Sequence, residues 1–341
     1  MIQIRPVRRQ FLALGLVVAG SLLAGCKRRD PGSEGRAEAP AKLRIAVIPK
    51  GTTHEFWKSV HAGAVKASRE LDVDIVWKGP LKEDDLKNQI DLVQSFTAQR
   101  VAGIVLAPLN DKALVASVQG AARAKIPVVI FDSALAGGEV ASFVATDNRA
   151  AGRLAGSRMV ELLGGRGKVA VLRYQEGSAS THERESGFLE AVRQAGLEVV
   201  SDNQYGGATT ETAASASESL LLAKNASGGG INGVFTPNES TTFGMLRALE
   251  NSKLDGKLRF IGFDASDKLV EAVRRGAIDA LVLQNPFNMG YLAVKAITAR
   301  LRGQPVEART DTGAQLLDKG NLEKPEMKEL IRPDLAKWLG P

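Results

Sequence analysis

From residue 43 onward the chain alternates between short apolar runs and longer amphipathic segments. The longer segments carry apolar residues three or four positions apart, which is the spacing of one face of an α-helix. Continuous apolar runs are typical of strands buried on both faces, and their alternation with helices predicts parallel sheets. Ten such strands are expected, at residues 43–48, 73–77, 103–107, 127–131, 142–145, 168–172, 197–201, 233–236, 258–263 and 280–283.

Ten strands are more than one twisted sheet comfortably holds, so the sequence predicts two sheets. The expected fold class is α/β, with two doubly wound parallel-sheet domains. The chain should pass between them near Asp147, near Gln284 and a third time near Ala308, which makes a hinge of several crossings. These crossings define an N-terminal domain of residues 43–146 plus 285–308 and a C-terminal domain of residues 147–284 plus 309–341. Such domains are expected to close on a ligand by hinge bending.

The first 25 residues have the pattern of an export signal. A basic stretch precedes an apolar run at residues 11–23, which is too short to span a bilayer as a helix. The run ends in Leu-Ala-Gly-Cys, which resembles the bacterial lipobox, so Cys26 is expected to become an acylated N-terminus. Cys26 is also the single cysteine of the chain, which excludes an internal disulfide. The pair Arg8 and Arg9 leaves both the general secretory route and the twin-arginine route open.

Residues 26–42 lack large apolar side chains and are expected to form a flexible tether. The roughly 300 residues that follow are enough for two domains with proper cores. The formal net charge of +7 falls to +4 when the three arginines of the leader are removed. This mild balance, with charges of both signs scattered along the chain, argues against a nucleic-acid partner. Membrane contact is therefore expected only through the acylated terminus of an exported protein that faces the periplasm or the cell surface.

Polar side chains follow five of the predicted strands at the point where each strand ends; they are Lys50 and His54, Asp132 and Ser133, Asn238, Asp264, and Gln284. In open parallel sheets, ligands bind beyond the carboxyl ends of the strands. Polar groups of this kind suit a polyhydroxylated ligand, and Phe56 and Trp57 can stack on the C–H face of a sugar ring. Each residue taken alone also fits a turn, a helix N-cap or a core position. Their occurrence at five strand ends together favours a binding cleft.

The order and spacing of these segments resemble the type I periplasmic sugar-binding proteins, the class that includes the ribose-binding proteins. The resemblance extends from about residue 42 to residue 303. It implies capture of a small polar ligand, delivery to an ABC permease, a monomeric state and no cofactor. The motifs that carry it are Ile-Ala-Val-Ile (45–48) with Phe56-Trp57, Ile-Pro-Val-Val-Ile-Phe-Asp (126–132), Ala-Thr-Asp-Asn (145–148), Arg-Glu-Ser-Gly-Phe (184–188), Gly-Val-Phe-Thr-Pro-Asn-Glu (233–239), Ile-Gly-Phe-Asp (261–264), and Gln284 before Pro286 and Gly290.

The resemblance also implies a role for individual residues of the cleft. The aromatic positions of the family correspond to Phe56 and Trp57, and the acid and the arginine that grip sugar hydroxyls correspond to Asp132 and Arg184. The three remaining polar positions of the family's site correspond to Asn238, Asp264 and Gln284.

The chain departs from the ribose-binding pattern at three of these places, which makes ribose itself a doubtful ligand. Lys50 replaces a small hydroxyl residue, His54 replaces an asparagine, and Ser133 replaces an arginine. A lysine at the first strand end resembles the autoinducer-2-binding branch, in which it reaches the ligand. If Lys50 faces the ligand, it suits an acidic sugar derivative. If it forms an ion pair with Asp132 or Asp264, a neutral sugar, polyol or diol is expected instead.

Two other functions stay open at the level of sequence. The protein can present its ligand to a sensor kinase or chemoreceptor, or it can be an envelope enzyme on the same fold. Against an enzyme, the globular part has no Gly-x-Ser-x-Gly motif and no cysteine nucleophile, although Asp132 and Asp264 can still face one another as an acid/base pair. His54 and His61 lie seven residues apart without a second pair of ligands, so no metal site is expected.

Overall fold

The computed structural model describes residues 42–340, in which strands and helices alternate. The strands are β1 (Arg44–Ile48), β2 (Asp74–Trp77), β3 (Gly103–Leu106), β4 (Val128–Phe131), β5 (Ser142–Ala145), β6 (Lys168–Arg173), β7 (Glu198–Tyr205), β8 (Gly233–Phe235), β9 (Arg259–Phe263), β10 (Ala280–Gln284), β11 (Arg309–Asp311) and β12 (Ala314–Asp318). The helices are α1 (Glu55–Leu71), α2 (Leu86–Ala98), α3 (Val115–Arg123), α4 (Asn148–Leu163), α5 (Ala179–Gln194), α6 (Thr210–Ala223), α7 (Glu239–Asn251), α8 (Asp267–Arg275), α9 (Pro286–Leu301), α10 (Pro325–Ile331) and α11 (Ala336–Leu339). The predicted signal peptide, Cys26 and nearly all of the tether lie outside the described residues. Within the described part, no helix has the length and apolar character needed to cross a membrane.

The strands form two six-stranded sheets, ordered β11-β5-β4-β3-β1-β2 and β12-β10-β9-β8-β6-β7. All neighbouring strands are parallel except β10 and β12, which pair antiparallel. The predicted α/β class with two doubly wound sheets is therefore confirmed, and each of the ten predicted strands is present. The edge strands β11 and β12 were not predicted, because β11 is polar and β12 has no continuous apolar run longer than two residues.

Helices cover both faces of each sheet, and each covered sheet forms one lobe. In the first lobe, α1 and α9 pack on one face of the sheet, and α2 and α3 pack on the other. In the second lobe, α4 and α5 cover one face, and α6, α7 and α8 cover the other. This burial on both faces explains why the central strands read as continuous apolar runs.

Glycines bring paired helices into backbone contact. A Cβ atom at Gly63 of α1 would lie 1.8 Å from the carbonyl oxygen of Phe287 in α9. A Cβ atom at Gly152 of α4 would lie 2.1 Å from the carbonyl oxygen of Arg184 in α5. Any larger side chain would push these helices apart, so the glycines set how closely α1 packs on α9 and α4 packs on α5.

The chain passes between the lobes beyond the carboxyl ends of β5, β10 and β11. The first two passages follow Ala145 and Gln284. The third comes later than expected near Ala308, because β11 pairs in parallel with β5 of the first sheet. It therefore lies between Asp311 and Ala314, and the boundary drawn after residue 308 is corrected accordingly.

The end of the chain also departs from the predicted domain assignment. Met327 and Leu330 of α10 pack against the core of the second lobe. Farther along, the carbonyl oxygen of Trp338 accepts a hydrogen bond from Arg69 Nη2 of α1 at 3.0 Å. The ring of Trp338 also lies 6.3 Å from that of Phe287 in α9. Residues 325–340, here called the C-terminal strap, thus run from the second lobe back to the first.

Candidate ligand-binding site between the lobes

The polar residues predicted from the strand ends meet where the two lobes face each other. A small cavity of about 30 Å³, here called the central pocket, lies at this junction. Of the ten residues expected to bind a ligand, only Ser133 does not line it, and the Ser133 Oγ accepts a hydrogen bond from the backbone N–H of Ser180 at 3.0 Å. The other nine, which do line it, are Lys50, His54, Phe56, Trp57, Asp132, Arg184, Asn238, Asp264 and Gln284.

Lys50 and Asp132 form a buried ion pair in the central pocket. Lys50 Nζ lies 2.9 Å from Asp132 Oδ2, and each side chain is only 4% exposed. Lys50 also donates a hydrogen bond to Ser180 Oγ of the second lobe at 3.0 Å. Despite the nearby ammonium group, no donor among residues 42–340 is aligned for a hydrogen bond to Asp132 Oδ2. This oxygen therefore keeps its capacity to accept a hydrogen bond.

Arg184 is held by three contacts within the second lobe. Its Nε donates to Asn148 Oδ1 at 2.7 Å, and its Nη1 donates to the carbonyl oxygen of Pro237 at 2.9 Å. The guanidinium group also lies over the ring of Phe263, 4.2 Å from the centroid. Its Nη2 is buried without a hydrogen-bond partner in the described part of the chain. The arginine is thus oriented by the protein and retains a free donor.

Glu83 links the two lobes, and sequence reasoning missed it. Its carboxylate accepts hydrogen bonds from Trp57 Nε1 at 2.6 Å and from the hydroxyl of Tyr174, in the second lobe, at 2.7 Å. His54 Nδ1 lies 3.0 Å from the same carboxylate. Glu83 stands in the charged stretch Leu-Lys-Glu-Asp-Asp, which is typical of a solvated loop. No local pattern distinguishes this buried carboxylate from its exposed neighbours.

The pairing with Glu83 sets the charge of His54. Burial lowers the pKa of His54, but the hydrogen bond and the negative charge of Glu83 outweigh this effect and raise it to about 9. Burial likewise raises the pKa of Glu83, yet the hydrogen bond and charge of His54 lower it to about 2. Both groups are therefore charged at neutral pH.

Asp264 is fully engaged by the protein. Its Oδ1 accepts a hydrogen bond from Gln284 Nε2 at 2.7 Å, and its Oδ2 accepts one from the backbone N–H of Glu239 at 3.1 Å. Burial raises the pKa of Asp264, and the positive charge of Arg184 opposes this rise. Asn238 is similarly occupied, because its Oδ1 accepts from the backbone N–H of Thr241 as the N-cap of α7. These residues shape the pocket as well as lining it.

A carboxylate of the second lobe caps a helix of the first. His54, the N-cap residue of α1, makes no capping bond with its own side chain. Instead, Glu239 Oε2 accepts a hydrogen bond from the backbone N–H of Phe56 at 3.3 Å. Burial raises the pKa of Glu239 to about 7; the charge of His54 acts against this rise, and the charge of Asp264 adds to it.

The pocket lining contains four further residues besides Glu83 that were not among the expected ones: Tyr174, Ser180, Thr181 and Glu239. Two of them carried a recognisable signal. Tyr174 comes directly after β6, and Glu239 follows Asn238 at the end of the motif after β8. Ser180 and Thr181 are at the start of α5, where hydroxyl residues are ordinary capping candidates and so do not stand out.

The histidines of α1 and its cap do not share a site. His54 pairs with Glu83, whereas the ring of His61 stacks on Trp77 at 4.4 Å. The described residues contain no group of three His, Cys, Asp or Glu side chains placed to hold a metal ion.

The two doubly wound lobes are joined by three crossings of the chain, and the carboxyl ends of their strands face each other. This arrangement is the architecture of a binding protein. The sequence profile of the periplasmic binding protein domain family matches residues 45–305. The chain belongs to this family. It is 28% identical over 273 residues to the ribose import binding protein of Haemophilus influenzae, covering 80% of this chain and 90% of that protein. It is 27% identical over 264 residues to the D-allose-binding periplasmic protein of Escherichia coli, covering 75% and 83%.

Solved structures agree with this assignment. A solute-binding protein of an ABC transporter from Agrobacterium vitis, with bound D-fucose, superposes with a TM-score of 0.81 and 35% identity over 85% of this chain and all of that chain. A carbohydrate solute-binding protein from Agrobacterium radiobacter, in complex with D-arabinose, gives a TM-score of 0.81 and 34% identity over 86% and 100%. The resemblance to type I periplasmic sugar-binding proteins is thus confirmed.

Proposed function

We propose that this protein is an exported solute-binding protein that encloses a sugar or sugar derivative between its lobes and delivers it to an ABC importer. The observation that carries the proposal is the central pocket, in which polar groups from the strand ends of both lobes meet beside Phe56 and Trp57. Relatives named for ribose and allose, and related structures that hold D-fucose and D-arabinose, support the same class of ligand.

Two buried polar atoms with spare hydrogen-bonding capacity indicate how hydroxyl groups would be held. Asp132 Oδ2 can accept a hydrogen bond, and Arg184 Nη2 can donate one. A sugar hydroxyl does both, so a pair of hydroxyl groups satisfies the two buried atoms together. Because leaving the buried Arg184 Nη2 without a partner is costly, a ligand that accepts its hydrogen bond gains affinity, and an analogue without the hydroxyls is rejected.

The charges of the pocket favour a neutral ligand. Lys50 is already paired with Asp132, and the positive charge of His54 is matched by Glu83. Arg184 is the remaining cation, and it has the carboxylate of Asp264 in its neighbourhood. Because each positive charge of the pocket has a carboxylate beside it, the pocket offers no net positive charge to an acidic sugar derivative. A neutral sugar or polyol is therefore our choice over an acidic one.

The same bonds argue for binding rather than catalysis. An acid/base pair needs carboxyl groups that can exchange protons with a substrate, but both oxygens of Asp264 accept hydrogen bonds from the protein. Asp132 is tied to Lys50.

We further propose that the protein is anchored through acylated Cys26 and acts as a monomer with a permease as its partner. The alternative is that the protein presents its ligand to a sensor kinase or chemoreceptor. Genes for a permease and an ATPase next to the gene of this protein would favour transport over this alternative.

A thermal-shift screen tests the proposal. A ligand present at 100 times its Kd stabilises the native state by about 2.7 kcal/mol, which raises the melting temperature. We expect a neutral sugar among D-ribose, D-allose, D-fucose, D-arabinose, D-galactose and D-glucose to do so, and uronic acids and sugar phosphates to have little effect. Small-angle scattering should then show a smaller radius of gyration at saturation. If no sugar, polyol or sugar derivative raises the melting temperature, the proposed function is wrong.

A further inference from the structure

A second, much larger cavity of about 650 Å³ lies beside the central pocket, and we call it the side cavity. Its volume is within the range of about 300–1,000 Å³ that is usual for small-molecule sites. The two cavities are adjacent, because five residues line both of them: His54, Phe56, Glu239, Asp264 and Gln284.

The C-terminal strap forms one wall of the side cavity. Residues 330–333 and Leu335 contribute to this wall, between the part of the strap on the second lobe and the part on the first. Arg332 Nη2 lies 2.8 Å from Asp267 Oδ1 at the start of α8, and Arg69 of α1 binds the carbonyl oxygen of Trp338. The strap lies beyond residue 305, where the match to the family profile ends, and it bounds space directly next to the expected ligand site.

The lining of the side cavity is amphipathic. Phe243 and Leu335 supply apolar surface, while Ser266 and Lys268 supply polar groups near it. A sugar unit has an apolar C–H face and a rim of hydroxyl groups, so a wall of this mixed character suits it. An aryl or alkyl group attached to a sugar would also find apolar surface here.

The junction between the cavities is polar. Glu239 lines both, and its carboxyl group makes a long hydrogen bond of 3.3 Å to the α1 backbone. A carboxylate with such a long contact can exchange it for a hydrogen bond donated by a hydroxyl group of a bound sugar. His54, on the opposite lobe, lines both cavities as well and supplies a donor.

We propose that the ligand is a glycoside or disaccharide, with one sugar ring between the lobes at the central pocket and the attached unit in the side cavity. At about 30 Å³ the central pocket is smaller than a sugar ring, so the lobes have to separate there to admit it. This inference rests on the proposed function, and it adds a second subsite made by the C-terminal strap.

Calorimetry on the full mature protein tests the inference. The probes are the six monosaccharides of the thermal-shift screen, their methyl and 4-nitrophenyl glycosides in both anomeric forms, and the disaccharides maltose, cellobiose, lactose and melibiose. We expect at least one extended probe to bind ten times more tightly than its parent monosaccharide. If monosaccharides bind and every extended probe is weaker than its parent, the second subsite is wrong and the proposed function stands. If no probe of either size binds, the proposed function itself fails.

Two variants locate the subsite. Leu335→Trp and Lys268→Trp fill the side cavity from the strap and from α8, so each should weaken the best extended probe at least tenfold and leave the parent monosaccharide within twofold. Leu339→Trp is the matched control, because Leu339 is 37% exposed on the same strap and does not line the cavity. Unchanged monosaccharide binding shows that a variant is folded. If both filled variants bind the extended probe as tightly as Leu339→Trp does, the attached unit does not occupy the side cavity.

Discussion

Asp132 and Asp264 occupy equivalent positions in the two lobes. Each follows the same strand of its sheet, β4 in the first and β9 in the second, and each has a left-handed backbone with φ of 60° and 67°. This conformation costs a residue other than glycine about 1–2 kcal/mol and is best tolerated by Asp and Asn. The two carboxylates have different partners, however: Lys50 for Asp132, and Gln284 with the Glu239 backbone for Asp264. The two lobes therefore share this left-handed backbone conformation at equivalent positions, but their carboxylates make different contacts.

The buried ion pair should be important for stability. Lys50→Met leaves Asp132 charged and unpaired in the core of the cleft, so we expect a loss of about 3–5 kcal/mol in the free energy of unfolding, measured by urea denaturation. Lys50→Met/Asp132→Asn should lose less than the sum of the two single variants. Lys87→Met, which breaks an exposed pair with Asp91, is the control and should change little. A Lys50→Met protein as stable as the wild type would show that the pair does not persist in solution.

Glu239 should make stability fall as the pH rises from about 4.5 to 7. Its pKa is raised in the folded protein to about 7, so the unfolded chain loses this proton first, and the stability present below pH 4.5 is lost as the pH passes through 7. Glu239→Gln removes this dependence. The difference in unfolding free energy between wild type and variant should shift by about 3 kcal/mol across this window, in favour of the variant at higher pH. Parallel curves for the two proteins would contradict the prediction.

The pKa values of the two histidines seven residues apart should be shifted in opposite directions. His54 is held protonated by Glu83 and should titrate near pH 9, whereas burial against Trp77 lowers the pKa of His61 below its usual 6.5. The stability that His54 contributes is complete below pH 6.5 and is lost as the pH rises through 9. Proton NMR of the imidazole C–H resonances measures both values, with His54→Gln used for assignment. Titration of both rings near 6.5 would rule out the Glu83 pairing.

Tyr174 should contribute to ligand affinity through the closed cleft. Its hydroxyl bridges the lobes by donating to Glu83, and a hydrogen bond to a charged group is worth about 1.5–3 kcal/mol. Tyr174→Phe should therefore raise the Kd of the best sugar roughly tenfold or more. Glu83 keeps Trp57 and His54 as partners in this variant, so its charge remains compensated. Tyr205→Phe, at a partly exposed position outside the pocket, is the control. If the two variants bind the sugar with equal affinity, Tyr174 does not contribute to ligand binding.

Cys26 should determine attachment to the membrane. Cys26→Ser removes the thiol that would be acylated, so we expect an unprocessed precursor, or a cleaved product that is released from the membrane. Acyl chains contribute about 0.8 kcal/mol per buried methylene to anchoring, and their loss is therefore decisive. Fractionation of cells with immunoblotting measures the outcome. A variant that is processed and membrane-bound like the wild type would refute lipidation at this position.

The α/β class, the ten main strands and the chemistry of their ends could all be predicted from the amino-acid sequence. These follow from local patterns, because burial on both faces makes a strand continuously apolar, and neighbouring parallel strands bring Asp264 and Gln284 to one edge of the second sheet by topology alone. Asp132 has the corresponding place at the edge of the first sheet. Which groups face each other depends on how the two lobes pack. Glu83 meets Tyr174, and Glu239 caps α1, only because two lobes dock, and partners more than 90 residues apart leave no periodic signal. The strap's return to the first lobe depends on side-chain packing at Met327 and on the contacts of Trp338, which likewise form only once the lobes are in place.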